Sequence, residues 1–228
     1  MNNKYQVLSI ILIILLIILG VFINIREEKA VDDSKIPERV EMSRGFQRWI
    51  TNLKNKGVDK NADEFRMIEE NEIYNSMWMK VYSMDDQDKK ELYDKTMSSV
   101  KNLKKIAVSP SEREFLDYRN EIRDGYLPEE VRFFGQKEDK IIDSRIVSCL
   151  KEANCYFDRG YFIDNDVLVI TEFSMSRGKD KVIPSKCSID SICTYTIKLH
   201  LADLVRNSRI VYESEPFEVN LSVLIPEL

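Results

Sequence analysis

A chain of 228 residues with a formal net charge of −5 and an isoelectric point near 5.2 lacks the basic stripe of a general nucleic-acid binder, so no nucleic acid is expected as a partner. Seven glycines and six prolines exclude a collagen-like or low-complexity chain. Acidic and basic residues are mixed along the sequence without a long single-sign run, the pattern of a solvated globular surface.

The chain opens with a five-residue tail and then the uncharged run VLSIILIILLIILGVFINI over residues 7–25. At 1.5 Å rise per residue, such a helix spans most of a hydrocarbon core about 30 Å thick. The run exceeds the apolar core of a cleaved signal peptide, and no small-x-small triplet follows it. The reading is a retained transmembrane signal anchor over 6–25, which makes the membrane the first partner. Lys4 precedes it, while Arg26, Lys29, Lys35 and Arg39 follow, a count that on its own places the rest of the chain in the cytoplasm. Long domains translocate largely regardless of such charges, so orientation passes to the cysteines.

Residues 26–40 read as a juxtamembrane linker and 41–126 as a mostly helical region. Met42, Phe46, Trp49, Ile50 and Leu53 recur at helical spacing, with Gly57 as a stop. Over 63–83 the placement of Tyr74, Met77, Trp78 and Val81 favours a helix, against a partial strand alternation. The aromatic and methionine cluster Tyr74, Met77, Trp78, Met79 and Tyr82 is either core or a face for a protein partner or a second copy of the chain. Asp85 or Asp86 caps a further helix carrying Leu92, Tyr93, Thr96, Val100 and Leu103. Ser109 and Pro110 open another, with Phe115, Tyr118 and Ile122 on its face and Gly125 at its end.

From 127 to 228 the texture is that of a β domain. Val131, Phe133 and Phe134 suggest a strand, and 141–150 is undecided. Residues 165–173, 192–201 and 209–215 are β-branched or alternating, and Phe217, Val219, Leu221 and Val223 alternate again. Along 192–201 the apolar Cys193, Tyr195, Ile197, Leu199 and Leu201 face one way. Thr194, Thr196, Lys198 and His200 face the other, which is expected to be wet. The fold class is therefore α+β: an N-terminal transmembrane helix, a mostly helical segment, then an antiparallel β-sandwich-like domain.

All four cysteines lie in this last part, as Cys149-x5-Cys155 and Cys187-x5-Cys193. An even count downstream of an export anchor fits an oxidising compartment, and the equal spacing suggests two local bridges. Three pairings remain open, as do buried thiols and a four-cysteine zinc site, for which the spacing is long.

Catalytic signatures are sparse. His200 is the one histidine and reads as a surface residue of a strand. No glycine-rich phosphate loop, nucleophile elbow or HExxH pattern occurs, and no catalytic residue, cofactor or metal is assigned. Asp158, Asp164 and Asp166 are the best calcium candidates but sit in turn sequences without the spacing of an EF-hand loop. Asn220-Leu221-Ser222 is a formal glycosylation triplet within an expected strand. The reading is a membrane-anchored extracytoplasmic binding or assembly protein. The alternatives are an anchored hydrolase working through carboxylates and a cytoplasm-facing assembly or sensor domain.

Overall fold

A computed structural model describes residues 34–74, 77–149, 154–175 and 187–226. The expected tail and anchor over 1–25, and the linker to residue 33, lie outside the described residues. No helix among the described residues is long and apolar enough to cross a membrane.

A short turn of helix, α1 (Glu38–Glu41), leads into α2 (Arg44–Asn55), capped by the Ser43 hydroxyl, which accepts from the Phe46 N–H at 3.2 Å. Phe46, Trp49 and Leu53 are buried as their spacing predicts, and Gly57 closes the helix at φ +86°. Met42 falls outside that face, at the end of α1, and is 70% exposed. A 3-10 turn (Ala62–Glu64) enters β1 (Phe65–Glu72), followed by β2 (Met79–Ser83) and α3 (Gln87–Val100), which is capped by Asp86. Two short strands, β3 (Ile106–Val108) and β4 (Glu114–Asp117), come next. Then follow β5 (Glu130–Lys137), β6 (Lys140–Ser148), β7 (Cys155–Phe162), β8 (Val167–Met175), β9 (Ile192–Asp203), β10 (Ser208–Ser214) and β11 (Phe217–Asn220), with a last helical turn α4 (Leu221–Leu224).

The strands form two antiparallel sheets. Sheet A has the order β1-β10-β9-β8-β7, with β11 on the first half of β9; sheet B has the order β2-β6-β5-β4-β3. Three apolar clusters define the layers. The first puts Phe46, Trp49 and Leu53 of α2 on one face of sheet A, against Val169, Leu199 and Tyr212. The second joins the sheets through Phe133, Ile146, Phe157, Leu168 and Ile170. The third puts Tyr93, Met97 and Val100 of α3 on the far face of sheet B, against Phe115, Phe134 and Ile141. The sequence of layers is helix, sheet, sheet, helix.

Several expectations change here. Residues 65–72 and 79–83 are strands rather than helix: β1 and β2 are edge strands, largely exposed, and their side chains carry little period-2 signal. Pro110 sits in a turn before the buried strand β4, so Phe115 and Tyr118 belong to sheet B and its exit and not to a helix. The undecided stretch 141–150 is β6 as far as Ser148. The last alternating run ends at Asn220, whose side chain accepts from the Ser222 N–H at 3.0 Å and starts α4. Asn220 also donates to the Asp190 carbonyl at 2.9 Å, so the amide of the glycosylation triplet is already engaged. Both local bridges are formed, Cys149–Cys155 and Cys187–Cys193, with Cα separations of 6.2 and 6.6 Å.

A bulge in β7 between Phe157 and Arg159 places Asp158 under α2, where it accepts from the Trp49 indole N–H at 2.8 Å. Thr171 closes the bulge by accepting from the Arg159 N–H at 3.0 Å.

Candidate functional site

Two arrangements stand out from the packing. One lies on the inner face of sheet A. In β9, Lys198 and His200 alternate with the apolar residues that meet α2, so both point toward sheet B; Glu172 of β8 is paired with Lys198 in register and shares that face. Thr194 is exposed as expected, but from Thr196 on the face expected to be wet is covered: His200 is only 5% exposed and Glu172 2%. His200 Nε2 lies 2.8 Å from Glu172 Oε2, Lys198 Nζ lies 3.4 Å from Oε1, and the Ser174 hydroxyl donates to Oε1.

Burial alone raises the pKa of a carboxyl. Here it is outweighed by the hydrogen bond from His200 and, once the imidazole is protonated, its charge, by the charge of Lys198 and by the Ser174 hydroxyl, and Glu172 is held down to about 2. Burial also holds the His200 imidazole below its ordinary value; Glu172 opposes this, while Arg209 and Lys198 assist it. Near neutral pH the pair is therefore a carboxylate accepting from a neutral imidazole. Nε2 carries the proton, and Nδ1 is left with no hydrogen-bond partner. Beside them, Cys149 and Cys155 pack against the same cluster, buried to 5% and 4% exposure.

The second arrangement occupies the outer face of sheet B beyond the end of α3. Arg132 of β5 and Arg145 of β6 are paired in register and stand among aromatic rings. The Arg145 guanidinium carbon is 3.9 Å from the Trp78 ring centre and 5.9 Å from that of Tyr126. That of Arg132 is 5.2 Å from Tyr126 and 4.9 Å from Phe134. The result is a ladder, Trp78–Arg145–Tyr126–Arg132–Phe134, in which cation and ring alternate. Asp143 braces its middle, accepting from Arg132 Nε at 2.8 Å and from the Tyr126 hydroxyl at 2.6 Å. The Tyr126 hydroxyl is pushed up in pKa by burial and by Asp143.

The loop carrying Tyr126 is organised by Arg123, whose guanidinium donates to the carbonyls of Asp117, Arg119, Glu121, Leu127 and Glu130 and pairs with the Asp117 carboxylate at 2.8 Å. A cavity of about 410 Å3 lies between the ladder and the rim of α3, bounded by Leu92, Thr96 and Leu103. A second, of about 310 Å3, lies between Trp78, Lys80 and Gly125 and shares Asp124 and Asp143 with the first.

The expected partner-face residues divide among three places. Trp78 and Tyr82 share the outer face of sheet B, Trp78 in the ladder and Tyr82 in the α3 cluster, while Met77 lies beside Trp78 and is 84% exposed. Met79 is one residue out of phase and faces the other sheet, opposite the buried Ser144. Tyr74 packs against the inter-sheet cluster. The calcium candidates do not form one oxygen cage. Asp158 receives Trp49; Asp164 accepts from the Asp166 and Val167 N–H groups and from Arg39; Asp166 pairs with Lys137. Glu172, Arg132, Arg145 and Tyr126 were not singled out by the sequence. Glu172 and Arg132 carried the available signal, a charge within an otherwise apolar β-like run.

The chain matches no protein-family model, no curated protein and no solved structure. Fold and site together define the described part as a disulfide-bonded two-sheet sandwich flanked by helices, with an arginine–aromatic face on one side.

Proposed function

We propose that this chain is a membrane-anchored binding module whose domain faces the outside of the membrane and whose working surface is the outer face of sheet B around the ladder. The observation that carries the reading is the composition of that face. Trp, Tyr, Arg and Met are the side chains most enriched at protein–protein hot spots and interface cores, and here Met77, Trp78, Tyr126, Arg132 and Arg145 lie together, next to two clefts. The arginines are already held by Asp143 and by Glu130, so the face is pre-organised, which reduces the entropy lost on docking. The partner is a protein that presents an apolar side chain to the Trp78 cleft.

The uncharged run over 7–25 supports anchoring, and two closed bridges support an oxidising compartment. Commitment of His200 to Glu172 inside the sandwich supports binding over histidine-based catalysis.

A photoreactive amino acid at position 77 in intact cells tests the surface, with the same probe at Val205, an exposed position in the turn between β9 and β10, as control. A discrete protein adduct from position 77 that is lost in Trp78→Ala and Arg145→Ala is the expected result, each substitution weakening binding by about 2 kcal/mol, a factor near thirty. Equal adducts from both positions, or insensitivity to both substitutions, refutes the assignment of this face.

A further inference from the structure

The inter-sheet cluster holds more ligand atoms than its fold requires. The Sγ atoms of Cys149 and Cys155 and a carboxylate oxygen of Glu172 all lie within 4.8 Å of one another, and all three residues are buried. Two soft sulfurs and one hard oxygen on a cation are a donor set of the zinc class. We propose that, when Cys149 and Cys155 are thiols, they and Glu172 bind one zinc-class divalent cation. The site is separate from the ladder and does not rest on the binding role assigned to it.

Charge balance argues for the exchange of one cross-link for another. With the bridge closed, the sulfurs are neutral and the Glu172 carboxylate is offset by Lys198 at 3.4 Å. A dithiol reductant delivers two electrons and two protons to the bridge and is itself oxidised to a disulfide, leaving two buried thiols. A divalent cation then displaces both thiol protons to the buffer. Two thiolates and one carboxylate carry three negative charges, which the cation and Lys198 cancel, so the interior is neutral in both states.

Geometry permits the same exchange. Zinc–sulfur bonds of about 2.3 Å put two tetrahedral ligands about 3.8 Å apart. Rotation about the Cα–Cβ bond of either cysteine opens the pair to that distance, with the Cα atoms already 6.2 Å apart. His200 is the positioning residue: its Nε2 engages Glu172 Oε2 and fixes the carboxylate in the way that outer hydrogen bonds orient metal ligands. The five-residue spacing is longer than that of a zinc-finger knuckle, and here one sulfur follows the end of β6 in sheet B while the other opens β7 in sheet A.

The test uses the full chain purified in detergent, reduced with a thiol-free phosphine and titrated with cobalt(II) and then zinc, beside the same chain kept oxidised. One cobalt per reduced chain is expected, with thiolate-to-cobalt charge-transfer absorption that zinc abolishes, and none in the oxidised chain. The double variant Cys187→Ser/Cys193→Ser keeps the band. Glu172→Gln, which retains both sulfurs, weakens zinc binding at least tenfold; Glu172→Asp gives the same readout if the glutamine variant does not fold. The zinc form also keeps the near-ultraviolet circular dichroism of the oxidised chain, as binding to a folded core requires. The proposal is overturned if the reduced chain shows no charge-transfer band, if the band vanishes with Cys187 and Cys193, if a folded Glu172 variant holds zinc as tightly as the parent, or if only an unfolded chain binds.

Discussion

His200 shows what alternation in a sequence can and cannot convey. Strand periodicity assigned it correctly to the face opposite Leu199 and Leu201, but a face is wet only if nothing covers it, and the second sheet does. The hint was in the neighbouring strand: Glu172 is the one charged residue of β8, and a charge in such a run needs a buried partner. This pair makes stability fall with acid. Glu172 has a folded pKa of about 2, below its unfolded value, so its contribution is present above about pH 4.3 and is lost as the pH falls toward the folded value. His200 is also held below its ordinary value, so the unfolded chain takes up its proton first and stability declines as the pH drops below about 6.5. Urea unfolding of the parent is expected to show stability falling as the pH is lowered from 7 to 5. In His200→Gln, which keeps a donor for Glu172 but does not titrate, the slope over that interval flattens. An unchanged slope assigns the acid sensitivity to other groups.

At the scale of elements, the helices were legible where an amphipathic stripe coincided with a cap. Phe46, Trp49 and Leu53 with Gly57 as a stop mark α2, and Asp86 with Tyr93 and Val100 marks α3. Strands β1 and β2 were not legible because an edge strand buries little: of β1 only Phe65 is buried. Around β2, apolar residues bound for different layers fell by chance at helical spacing. The contact between α2 and sheet A yields a prediction opposite in sign to helix propensity. Gly45 lies within the first turn of α2, and a Cβ there would overlap the ring of Tyr161 on β7. Replacing a helical glycine by alanine ordinarily stabilises by up to about 1 kcal/mol. Here the aromatic ring must move or the helix must lift, and overpacking of that kind costs about 1–3 kcal/mol. Gly45→Ala is expected to lower the thermal midpoint. In a Tyr161→Ala background, where the ring is gone, the same substitution is expected to lose most of that effect. A midpoint raised by Gly45→Ala alone contradicts this close approach.

For the molecule as a whole, helices first and sheet last was the natural reading of the composition, and the antiparallel β-rich sandwich of the later residues was visible in it. The interleaving was not, because pairing between distant strands leaves no local mark: β1 joins β10 and β2 joins β6, so strands from before residue 126 complete both sheets. The two bridges sit differently in that architecture. Cys149–Cys155 is buried between the sheets, whereas Cys187 and Cys193 are partly exposed at the start of β9. Each closes a loop of similar length, worth about 2 kcal/mol by loop entropy, so the difference between them lies in access rather than in stabilisation. Under native conditions a dilute reductant is expected to open Cys187–Cys193 first, with alkylation at those two positions and a modest fall in thermal midpoint. The inner pair opens only by an excursion that separates the sheets, so its alkylation rate rises steeply with urea while that of the outer pair does not. Peptide mapping of alkylated cysteines along a reductant and urea series reads both rates. Simultaneous labelling of all four cysteines in buffer contradicts the buried position of the inner bridge, and labelling of all four on intact cells without reductant removes the support the bridges give to an outward-facing domain.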